Sequence, residues 1–284
     1  MTDPNAGRAV YTGEYCAAYI PEPVLIDKHN LFVGLRNGVL HYLPGTGKTA
    51  WIGRADSEPL DDLYFAPDGL HYHSADNTLY TITYDLQGPA FIDSYQLNSA
   101  FCVTNQNRIV VDSEREEHRP PYERSNLVAT CLNHHTGQLA YLLAQDQWPV
   151  PSRPKKGTQI PIAHLYVGNP IQSPTKIAVT GTLGVNVNSR RVDPESPKEK
   201  PANWVFRIHT EPVRMFLEPL GPDQYLLGLT GGTVCMLNTR TASQKIVLQM
   251  PAEISALKPA FEPSQYFVGL MNGELHLVNI STDA

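Results

Sequence analysis

Pro44-Gly45-Thr46-Gly47-Lys48-Thr49 carries the residue types that bind phosphate. Glycines let backbone amides approach an anion, a lysine neutralises it, and a hydroxyl can hold a metal ion. Ile109-Val110-Val111-Asp112 offers the second part of such a site, an apolar strand ending in a carboxylate. Three features argue against it. The full loop needs a glycine five residues before Gly47, and that position is Tyr42. A helix should open after Thr49, whereas Ala50-Trp51-Ile52-Gly53 is short, ends in glycine and reads as a strand. The same place elsewhere in the chain holds Thr136-Gly137, which reads as a plain turn. A turn is therefore the reading at Lys48, and no cofactor is expected.

The remaining reactive residue types also fall short of a site. Asp61, Asp62, Glu211 and Glu253 each precede a strand-like run and could offer oxygens to a divalent ion. Glu211 and Glu253 hold similar repeat positions, which suggests repetition rather than a catalytic pair. His71 and His73 alternate on one strand face, and His134-His135 adjoin at a turn. A metal would need a further ligand brought in by the fold. His41 and His276 stand equally far beyond Gly38 and Gly273, as repeat positions do. The four cysteines, Cys16, Cys102, Cys131 and Cys235, form no CxxC pair and read as reduced thiols in strands. Arg153-Pro154-Lys155-Lys156 and Arg190-Arg191 are not interleaved with aromatics along the sequence and read as solvated loops. No catalytic, cofactor or metal residue is assigned.

The elements that would position any such residue are set by a repeated hairpin. Phe32-Val33-Gly34-Leu35-Arg36-Asn37-Gly38, Leu226-Leu227-Gly228-Leu229-Thr230-Gly231-Gly232 and Phe267-Val268-Gly269-Leu270-Met271-Asn272-Gly273 share one pattern. An apolar pair leads to Gly-Leu, one free position, and Asn-Gly or Gly-Gly before an alternating run. Such dipeptides between strand-like runs predict type I′ turns, in which both central residues need φ > 0. The last two copies lie 41 residues apart, the spacing of a four-stranded propeller blade. The chain length of 284 residues suits one closed propeller, and 20 glycines with 24 prolines suit many short strands.

The blade reading runs along the whole chain. Residues 24–54 form blade one and 61–96 blade two, with Asp68-Gly69 as a turn and Asp76-Asn77 in the place of Asn37-Gly38. Blade three spans 99–143 around a charged insertion at 112–124, and blade four spans 147–208 with a Pro-rich insertion at 189–201. Blades five and six cover 211–250 and 253–280. Residues 8–20 are strand-like and would supply the strand that closes the ring. The expectation is an all-β, single-domain, closed β-propeller of six four-stranded blades, or seven if 160–208 holds more than one.

Leu132-Asn133-His134-His135-Thr136-Gly137 and Leu237-Asn238-Thr239-Arg240-Thr241-Ala242 carry a family resemblance. They look like degenerate versions of the WD40 repeat, in which a strand ends in Trp-Asp with Thr-Gly a few residues on. The Trp-Asp pair is absent from every blade, so the resemblance is at the level of the family. It implies a propeller and a tendency to bind proteins. Trp51-Ile52-Gly53-Arg54 also loosely resembles the motif by which some WD40 proteins dock on a cullin-4 adaptor, with Ile where that motif has Asp.

These features point to a non-enzymatic scaffold or adaptor subunit, with one or more proteins of a larger assembly as partners. The expected contact residues are Arg115, Glu116, Glu117, Arg119 and Tyr122 in the first insertion, Arg190 and Arg191 in the second, and Trp51 with Arg54. Insertions that interrupt a repeat become surface loops, and loops carry function. The competing reading is a metal-dependent hydrolase or lactonase of the propeller type. With 28 acidic against 22 basic residues, net −6, nucleic acid is not expected as a direct ligand. No run of 18 apolar residues and no apolar leader occurs, so the expectation is an intracellular protein of cytoplasm or nucleus with no membrane contact.

Overall fold

The computed structural model describes residues 23–35, 38–52, 63–85, 90–111, 127–144, 147–150, 159–168, 174–182, 187–191, 204–208, 215–229 and 231–281. Every regular element among them is a β-strand. The chain divides into two compact units, Met1–Ser125 with Thr130–Gly137, and Asn126–Ala129 with Gln138–Ala284.

The first unit holds two complete meanders. Strands β1 (Val24–Asp27), β2 (Asn30–Leu35), β3 (Gly38–Leu43) and β4 (Lys48–Ile52) pair in sequence order, as do β5 (Leu63–His73), β6 (Thr78–Asp85), β7 (Ala90–Leu97) and β8 (Val103–Val111). Alternation along β2 and β3 sends Phe32 and Val39 inward, where they join Ile52, Leu70, Leu79 and Leu97 in one core shared by both sheets. The outermost strand β8 is exposed along most of its length.

The third meander is β9 (Leu127–Asn133), β10 (Gln138–Ala144), β12 (Gln159–Gly168) and β13 (Thr175–Thr182). All of β9 is buried, while β13 is buried only at alternate positions such as Ile177 and Val179. Between β10 and β12 the chain leaves to form β11 (Gln147–Val150). It leaves again after β13 to form β14 (Val187–Arg191) and β15 (Trp204–Ile208). The last two sheets are β16 (Phe216–Gly221), β17 (Gln224–Gly228), β18 (Thr233–Asn238) and β19 (Ser243–Gln249), then β20 (Ile254–Pro259), β21 (Gln265–Leu270) and β22 (Leu275–Asn279). Leu226, Val234, Leu257, Tyr266 and Val268 fill the core between them, and the Tyr266 hydroxyl donates to Pro219 O at 3.0 Å.

The described residues thus form five propeller blades, not the six or seven expected, and show no closed ring. The difference has two causes. Asp68-Gly69 is a bulge inside β5, where register slips between Phe65 and Leu70, and not a turn between strands. Asp68 takes φ 52° there, so a bulge uses the same left-handed residue that a turn would. Blade two therefore extends to β8, and blade three takes β12 and β13 from the stretch expected to be blade four. Gln244 of β19 confirms the count. It accepts from Thr180 N at 2.9 Å and donates to Thr180 O at 2.7 Å, so blade three meets the β16–β19 blade directly. The expected closing strand, residues 8–20, lies outside the described residues. The last blade has three strands among the described ones.

The signature hairpin is also built differently at its third copy. Gly273 N donates to Leu270 O at 3.0 Å and has φ 88°. Met271 and Asn272 are therefore the centre of an ordinary turn, and Gly273 is a left-handed residue added after it. In the Gly-Gly copy, Gly231 and Gly232 are both left-handed, at φ 93° and 83°.

Candidate interaction surface

The phosphate-loop resemblance dissolves in the structure. Residues 44–47 are a four-residue turn, with Gly47 N donating to Leu43 O at 2.8 Å, and Lys48 begins β4 rather than a helix. The helix N-terminus that such a loop leads into is not formed at Lys48. The same turn recurs at 134–137, where Gly137 N donates to Asn133 O at 2.7 Å, and its fourth residue is again left-handed. Asn133 and Asn238, which stand in the Asp place of the WD40 pattern, cap their turns. Asn133 Oδ1 accepts from His135 N at 3.0 Å, and Asn238 Oδ1 accepts from Arg240 N and Thr241 N at 3.0 Å. The turn at 134–137 joins the first and second strands of its blade, not the third and fourth as the repeat pattern predicts.

The histidines take structural partners. His41 is 5% exposed, lies edge-on to Phe32, and shares a 2.9 Å bond with Asn30 Oδ1. Burial pulls its pKa below the ordinary 6.5, against a smaller opposite effect of Asp27. His276, its repeat equivalent, lies near the surface against Glu274 at 3.1 Å. His71 bonds Thr130 Oγ1 at 3.0 Å, and Thr130 Oγ1 in turn donates to Asp68 O. His73 Nδ1 bonds Asp76 at 2.8 Å and its ring packs against Gly137. Burial first, then the nearby His73 and His135, hold the His134 pKa below the ordinary value. Of the carboxylates considered for an ion, Asp61, Asp62 and Glu211 lie outside the described residues, and Glu253 is exposed. Among the described residues no group of three His, Cys, Asp or Glu is placed to hold a metal. Nor does any described helix span a membrane.

The expected contact residues divide three ways. Trp51 lies on β4 with 44% of its surface exposed. Arg54, Arg115, Glu116, Glu117, Arg119 and Tyr122 lie outside the described residues. Arg190 and Arg191 do not sit in a loop: they end β14, so the second insertion begins later than position 189.

What sequence reasoning missed is the partner of β14. β15 pairs with β14 on one side and β11 on the other, giving a three-stranded sheet of order β11-β15-β14 that is no meander blade. Trp148 stands opposite Phe206 and Val150 opposite Trp204. Across β15, Phe206 faces Ser189 and Trp204 faces Arg191. In register, Arg191 therefore stands opposite Trp204 and Arg190 opposite Val205. The local signal was present in Trp148 and in the strand-like Trp204–Ile208, but nothing local specified their pairing.

The four-stranded meanders and the turns between their strands are those of a β-propeller fold. No protein-family model and no curated protein matches the sequence. Among solved structures, the chain is similar to the β-propeller domain of Cps50 (Swd1) from Myceliophteria thermophila, at TM-score 0.50 and 14% identity over 96% of this chain and 69% of that one. A chain of the mitotic checkpoint complex aligns at TM-score 0.49 and 14% identity, over 96% of this chain and 66% of that one. PorZ of Porphyromonas gingivalis aligns at TM-score 0.49 and 12% identity, with this chain spanning 33% of its length. At these identities the likeness is one of fold.

Proposed function

We propose that the chain is a non-enzymatic scaffold or adaptor subunit that recognises a protein partner through the segments that leave the blade pattern. The observation that carries this reading is the β11-β15-β14 sheet. Two separate excursions, either of which could have been a solvated loop, pair with each other and belong to no blade. Ordering strands that belong to no blade costs conformational entropy, and segments that interrupt a repeat are where function is carried, so this sheet favours a surface role. The blades hold the surface in place. The insertion at 112–124, with Arg115, Glu116, Glu117, Arg119 and Tyr122, and the exposed Trp51 with Arg54 are proposed as further contacts. Proteins of a multi-subunit assembly are the partners in this reading, in the cytoplasm or nucleus.

The test removes residues 113–124 and 192–200, which spares β8 and β14. The thermal transition should stay nearly unchanged while partner co-purification weakens. Co-purification that survives both deletions would sink the reading.

A further inference from the structure

We draw no further inference here: the strongest candidate, the apolar outward face of the last blade, where Phe261, Leu275 and Leu277 stand exposed around Phe267, carries nothing because nothing in the structure shows what covers it.

Discussion

Gly47 and Gly137 end two turns of the same build, yet the same substitution should cost them different amounts. Both are left-handed, at φ 67° and 70°, and both close their loops with a backbone bond to the residue before the turn. Alanine at either position costs about 1 kcal/mol for the left-handed backbone. The tolerance of Asn77 and Ala242 at the same turn position, φ 54° and 51°, shows that this term alone is bearable. The surroundings then separate the two. A β-carbon on Gly47 meets nothing within 4 Å. On Gly137 it lands against the His73 ring, with Nε2 at 2.7 Å and Nδ1 at 3.0 Å. The ring must swing away, and it is tethered by its 2.8 Å bond to Asp76. Losing that bond and the ring packing adds about 1–2 kcal/mol. Urea unfolding should therefore give about 1 kcal/mol for Gly47→Ala and about 2–3 kcal/mol for Gly137→Ala. In a His73→Ala background the two costs should converge to within about 0.5 kcal/mol. Equal costs in the unaltered background, or a gap that survives His73→Ala, would refute the reasoning.

Other perturbations follow from single contacts. Gln244→Leu leaves the part-buried Thr180 N–H and C=O without their partner and should cost about 1–3 kcal/mol, with faster hydrogen exchange at the Thr180 amide. Because burial lowers the His41 pKa, the unfolded state takes up the proton first as pH falls. Its contribution is intact above the ordinary value of 6.5 and declines below it, so His41→Gln should lose less stability than the unaltered chain between pH 7.5 and 5.5. Calorimetric titration with ATP and magnesium should show no binding at the turn before Lys48, and heat abolished by Lys48→Ala would reverse that conclusion.

Blades one, five and six were legible because their hairpins are local. Leu35 and Gly38, or Leu270 and Glu274, are close enough in sequence for turn chemistry to fix their pairing. Asp68-Gly69 misled because bulges and turns ask for the same left-handed residue, and only the partner strand distinguishes them. Blades three and four were miscounted for a related reason. The chain passes from β10 through β11 to β12, and Gln147–Val150 looks like any short strand until β15, over 50 residues on, claims it. Two contact residues show the same limit. Arg190 and Arg191 read as a charged loop from their neighbours in sequence, and as the end of a strand paired with Trp204–Ile208 once the register is known.

A scaffold subunit should be found in company. The most direct test is the native size of the chain in gently lysed cells that make it, measured by gel filtration with immunodetection. The account predicts elution in an assembly well above the 31.5 kDa of the chain, shifted down by deletion of residues 113–124 and 192–200. Elution of the unaltered chain at its own mass would contradict it.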